Sequence, residues 1–237
     1  MKIKNYYEKI NKKSQEIFCE SVNRPDLISN VHSAVNELFQ LSTFISDEDE
    51  RKMIQVVCNQ LETSCLALTL GLYRPALATL RLAYELGIAT VYFSANKLEH
   101  REWLAGISDL KWSCVNSSDD GVLSKRFAAA FFPALQDYCS KYHEKAQITY
   151  RCLSEYVHGN NETWRKSGIA LARNETLINL YSRNFSEVIE VLKFAFCCRY
   201  LKTLLPEQIE DAALLLGEDF NHIVPIRKFL GGPEEIS

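Results

Sequence analysis

The chain has few residues of the kind that build turns. Nine glycines and six prolines in 237 residues are too few for a fold of many short strands. It also has no excess of cations. Lys and Arg number 27 against 30 Asp and Glu, a net charge of -3, whereas a dedicated nucleic-acid binder is usually basic. Any contact with RNA or DNA must therefore be local. No run is apolar enough to span a bilayer: the most apolar tract, 191–205, is interrupted by Lys193, Arg199 and Lys202. The N-terminus lacks the apolar stretch of a signal peptide. A cytoplasmic protein without membrane contact is the expectation. None of the eight cysteines forms a C-x-x-C pair. The one close Cys/His pair, Cys139 and His143, has no second pair at zinc-site spacing, so no metal or other cofactor is expected. The cysteines read as free thiols, mostly buried, in a reducing compartment. A P-loop, a G-x-G-x-x-G fingerprint, H-E-x-x-H and G-x-S-x-G are all missing, and no Glu-x-x-His pair has the spacing of a di-iron ligand set. This argues against nucleotide hydrolysis, zinc peptidase chemistry and ferritin-like metal chemistry.

What is present is helical periodicity, at 47% hydrophobic and 24% charged residues. Helices are expected over about 3–20 and then through Leu27, Val31, Val35, Leu38 and Leu41. A third is expected from a Ser46 cap, through the acids 47–50, to Gly71. The fourth, 75–95, starts at Pro75 and is apolar around most of its circumference, which marks it as the central buried helix. A shorter helical piece holds Trp103 and Trp112, and 116–121 is a polar loop. The spacing then predicts helices over 122–138, with Pro133 kinking or breaking it, over 144–158 with Gly159 as its cap, and over 174–205 ended by Pro206. The segment 162–172 leaves room for a short hairpin. One or two short helices and a frayed tail at 231–235 complete the chain. The pattern predicts a single all-α domain over 1–237, a helical bundle with N-terminal and C-terminal helical extensions.

The densest polar set is Tyr150-Arg151-Cys152-Leu153-Ser154-Glu155-Tyr156-Val157-His158-Gly159. At about 100° per residue, Tyr150, Ser154 and His158 fall along one stripe, and Arg151 shares a face with His158. An always-charged donor, a hydroxyl and a group that titrates near neutrality suit a phosphate. Histidine can move the proton of a ribose 2′-hydroxyl, and arginine can steady the charge that builds on phosphorus, with no metal involved. The seven-residue separation places the two backbones about 10 Å apart, and Arg151 leans towards the helix N-terminus, away from His158. An arginine from another helix or subunit is the alternative partner. A plainer reading pairs Arg151 with Glu155 on the surface, bonds Ser154 back to a carbonyl and leaves His158 at the helix C-terminus for the dipole. A second set, Arg81 and Glu85, sits one turn apart on the most buried helix. It reads either as an internal ion pair or as a wall of the same polar pocket. Trp103, Trp112 and Trp164, with Tyr150 and Tyr156, offer faces on which bases could stack, with core packing as the plainer reading. Arg165 and Lys166 follow Trp164 as a small basic loop.

Gly71-Leu72-Tyr73, Ala76, Leu80-Arg81, Glu85, then Trp103-Leu104-Ala105-Gly106, then Tyr150, Leu153-Ser154 and Val157-His158-Gly159 together resemble an uncharacterised all-helical bacterial family that is itself similar to the HEPN superfamily. The resemblance covers about residues 55–160 and continues more loosely beyond Asn174. It implies a HEPN-like core over about 47–205, a homodimer, and a metal-independent endoribonuclease of the kind found in toxin–antitoxin and antiviral defence systems. Arg151 and His158 fit the family's spaced Arg/His signature. In those roles Arg151 would hold the scissile phosphate of RNA and His158 would serve in acid–base catalysis, both near the dimer interface, with Arg81, Glu85, Tyr150 and Ser154 supporting the pocket. Cys152 stands where active members carry a polar residue. That motivates the alternative of a non-catalytic interaction or regulatory subunit, antitoxin-like and bound to a partner protein. A ligand sensor using Arg81, Glu85, Ser154 and His158 is the third reading.

Overall fold

The computed structural model describes residues 3–23, 25–158 and 171–234. These residues form eleven α-helices and no strand. The all-α expectation therefore holds. No helix among them is long and apolar enough to cross a membrane.

The helices are α1 (Ile3–Val22), α2 (Pro25–Thr43), α3 (Glu48–Thr69), α4 (Tyr73–Ala95), α5 (Lys97–Leu104), α6 (Trp112–Val115), α7 (Lys125–Phe131), α8 (Gln136–His158), α9 (Glu175–Tyr200), α10 (Pro206–Phe220) and α11 (Val224–Phe229). Several boundaries differ from the sequence expectation, each for a local reason. Asp47, not Ser46, caps α3: its carboxylate accepts from the Glu50 N–H. Pro75 is the third residue of α4, still within the first turn, where a missing N–H costs nothing. The expected helix over 122–138 breaks at Phe132, Pro133–Leu135 forms one tight 3-10 turn, and α8 begins at Gln136, well before residue 144. The helical piece expected at the tryptophans is two helices, α5 and α6. The long last helix stops at Tyr200 and passes through a 3-10 turn before Pro206 opens α10. Nor is the C-terminal tail frayed as far as it is described: Arg227 donates to the carbonyls of Pro233 and Glu234, both at 2.7 Å. Residues 159–170, which include the expected Gly159 cap, most of the expected hairpin, Trp164, Arg165 and Lys166, lie outside the described residues.

α4 is the central helix, as its composition requires. It packs on α3, α8 and α9, and Leu77, Leu80, Ala83, Tyr84, Ile88 and Ala89 are almost entirely buried. Gly71 (φ 77°) turns α3 back against it in the left-handed conformation that favours glycine. Gly87 lets α4 and α9 approach closely, since a Cβ there would meet Leu192 Cδ2 at 2.5 Å. Cross-helix polar bonds fix the directions. Tyr200 donates to Glu50 at 2.8 Å and the Ser64 and Tyr181 hydroxyls meet at 2.6 Å, so α3 runs antiparallel to α9. Tyr142 of α8 stacks on Phe194 of α9 at 3.7 Å, and Lys145 pairs with Glu187 at 2.9 Å, so these two are antiparallel as well. All eight cysteines are free thiols. Five are buried, while Cys19 and Cys114 are exposed. Burial pushes the Cys65 thiol up to about 11 and Cys58 up to about 12, which makes them inert packing groups.

Candidate functional site along the α4–α8 seam

Helical spacing puts Arg74, Arg81 and Glu85 on one face of α4, and Tyr150, Ser154 and His158 on one face of α8. The two helices pack antiparallel, and the structure brings most of these residues together in two clusters.

The first is a closed triangle. Arg81 Nη2 donates to Glu85 Oε1 at 3.0 Å and also to the Tyr150 hydroxyl. That hydroxyl in turn donates to the same Glu85 oxygen at 2.8 Å. The Arg81 guanidinium lies 4.6 Å from the Tyr150 ring centre. On the ring's face Trp112 stacks in parallel, at 4.0 Å and 2°. Burial pushes the Tyr150 phenol above its ordinary range. The Arg81 hydrogen bond pulls it back, and the Glu85 carboxylate opposes that pull. The side chains of Arg81 and Glu85 are only 13% and 19% exposed, and they are charge-paired within the protein. Chemically the triangle is a clamp that ties α4 to α8, with its carboxylate already holding a phenol and a guanidinium. Ser154 is spent in the same way, donating to its own helix at the Tyr150 carbonyl, 2.7 Å away. Tyr150, Arg81 and Glu85 thus meet, and Ser154 points its hydroxyl along the helix.

The second cluster is at the end of α8. Arg74, in the first turn of α4, donates through Nε to the Tyr156 carbonyl at 2.7 Å and through Nη2 to the Val157 carbonyl at 3.3 Å. These are two of the four carbonyls that a helix C-terminus leaves without partners, and a cation also suits the dipole there. Arg74 lies outside the residues that the sequence pattern singles out, yet it leaves a signal. A cation in the first turn of a helix opposes the dipole, so its charge is better used at another helix's C-terminus.

Arg151 is exposed and belongs to neither cluster. The surface pair with Glu155 does not form, and neither residue has an ion pair among the described residues. His158 is the last residue of α8; its side chain lies outside what the structure describes. Among the described residues no group of three or more His, Cys, Asp or Glu side chains is placed to hold a metal ion. Comparison of the chain with protein-family models, with curated proteins and with solved structures finds no match. The class the fold defines is an all-α bundle with a polar seam.

Proposed function

We propose that the chain is a HEPN-like, metal-independent endoribonuclease, a toxin-like or antiviral-defence effector, with Arg151 and His158 as its catalytic residues. The observation that carries this reading is the state of Arg151. Unlike Arg74 and Arg81 on the α4–α8 seam, Arg151 beside it is exposed and without an ion pair among the described residues. Arg81 is closed into the triangle and Arg74 is bound to backbone carbonyls. An exposed guanidinium can take two phosphate oxygens. In the proposed reaction the 2′-hydroxyl attacks the adjacent phosphorus as His158 takes its proton, and the bond to the 5′-oxygen of the next nucleotide breaks as that oxygen takes up a proton from water. The products are a 2′,3′-cyclic phosphate and a free 5′-hydroxyl. Arg151 offsets the charge on the non-bridging oxygens. Positioned acid–base groups contribute about 10²–10⁴-fold. RNA cleavage in EDTA should fall by that order in His158→Ala with the fold unchanged; equal rates for the two proteins sink the reading.

A second reading, a non-catalytic interaction or regulatory subunit, is favoured by one observation. Glu85, Tyr150 and Ser154 use their hydrogen bonds on the seam's own groups and on backbone, as does the Nη2 of Arg81. Absence of RNA cleavage together with stable capture of a partner protein supports it.

A further inference from the structure

Only the C-terminal part of α1 is packed. Its buried side chains are Ile17 and Ser21, and Ser14 donates to the Leu70 carbonyl at 2.9 Å. The seam that carries Ser14, Ile17 and Ser21 continues at helical spacing to Ile3, Tyr6, Tyr7 and Ile10. There Ile3 is 75% exposed and Tyr7 59%, while Tyr6 and Ile10 are half-buried. The same three turns are basic, with Lys4, Lys9, Lys12 and Lys13 against Glu8. Lys4 and Lys13 make only exposed pairs along their own helix, to Glu8 at 3.7 Å and Glu16 at 3.0 Å. Lys9 and Lys12 have no ion pair among the described residues.

α10 is the complement of this arm. It carries Glu207, Glu210, Asp211, Glu218 and Asp219, and no lysine or arginine. Asp219 is bound to the buried Lys193. The other four have no ion pair among the described residues. They stand seven, four and three residues before Leu214 and four after it, so they ring that leucine on the helix surface. Leu214 is 81% exposed, more than any other large apolar side chain among the described residues. Gly217, one turn on, has open space where a side chain would project, and so leaves a notch beside Leu214.

Glu20 of α1 reaches Arg173, just before α9 begins (3.7 Å), whereas Asp219 of α10 meets α9 at Lys193. α9 is 26 residues long, and the eighteen or so residues from its start to Lys193 span about 27 Å. We propose that the basic, apolar arm of α1 docks on the acidic, leucine-centred face of α10 in a second copy of this chain, and that the exchange is reciprocal. Reciprocity follows from size. Three helical turns fall short of the roughly 800 Å² per partner that specific interfaces bury, and a twofold axis supplies the contact twice.

The test is the mass of the full chain in solution, by light scattering or sedimentation, for wild type and two charge-reversed variants. One variant carries Lys4→Glu, Lys9→Glu and Lys13→Glu; the other carries Glu207→Lys, Glu210→Lys and Glu218→Lys. All six side chains are exposed, so helix content and melting should match wild type. The expected result is a wild-type dimer weakened by salt, two monomeric variants, and a restored one-to-one dimer when the variants are mixed. Dimers that survive either reversal, or a mixture that stays monomeric, overturn the proposal. Open-ended, concentration-dependent oligomers overturn its reciprocal form. A monomeric wild type that binds RNA oligonucleotides or anionic vesicles through the same lysines overturns it in favour of that occupant.

Discussion

His100 shows how one side chain carries a pH signature unrelated to the seam. It is 2% exposed, stacks on Phe93 at 5.1 Å and 7°, and its Nε2 has no hydrogen-bond partner. Burial, with the nearby Lys97 charge, holds its pKa below the ordinary value. The folded protein therefore resists a proton that the unfolded chain accepts. Above the ordinary value of 6.5 both states are neutral and His100 adds no pH dependence. Below it, stability falls with pH until the lower folded value is reached. Melting temperature followed from about pH 7.5 to about pH 5 should drop less in His100→Phe than in wild type; identical slopes contradict this. The buried Lys193 behaves in the opposite way. Burial alone pushes it down, but the hydrogen bonds it donates to Asp219 and Glu37 outweigh burial and hold it raised and charged. It is a fixed cation between α2, α9 and α10, the sort of internal pair that costs far more to break than it contributed to folding.

At the scale of elements, α4 and α9 are set by how close their backbones come. Ala has about 1 kcal/mol more helix propensity than Gly, so Gly→Ala in an open helix should stabilise. Gly217 is such a place. At Gly87 the added Cβ meets Leu192, itself buried, at 2.5 Å and 3.1 Å. Overpacking of this kind costs about 1–3 kcal/mol and exceeds the propensity gain. The urea midpoint should fall for Gly87→Ala and rise for Gly217→Ala; a rise in both contradicts the close α4–α9 contact.

Helix existence and the centrality of α4 were legible from periodicity, because a long apolar stripe has one way to be buried. Boundaries were less legible. Pro133 marked the α7–α8 break, but not that α8 restarts at once at Gln136 rather than near residue 144, and the α3 cap depends on which of Ser46 and Asp47 reaches the free N–H. The site was legible in its members and not in its connections. Spacing put Tyr150 and Ser154 on one face and Arg81 with Glu85 on another. That these faces close on each other, that Trp112 covers the ring, and that Arg74 holds the end of α8 are long-range facts no local window carries.

At the scale of the molecule, the seam divides its arginines by task. Arg74 secures the end of α8, Arg81 locks α4 to α8, and Arg151 faces solvent one residue from the locked Tyr150. Closing the α4–α8 seam gives the proposed catalytic arginine a rigid base. A guanidinium engaged in a structural triangle would otherwise have to break it to meet a substrate. Arg151 can meet RNA without disturbing the bundle, and loss of Arg81 should weaken the bundle without removing the chemistry. The most direct measurement is RNA cleavage in EDTA by Arg151→Ala and Arg81→Ala, each compared with wild type at a temperature where both are folded. Arg151→Ala should melt like wild type and lose about 10²-fold or more in rate. Arg81→Ala should melt lower by about 2 kcal/mol of stability and keep the activity of its folded fraction. An Arg151→Ala protein that cleaves as fast as wild type contradicts the proposed function.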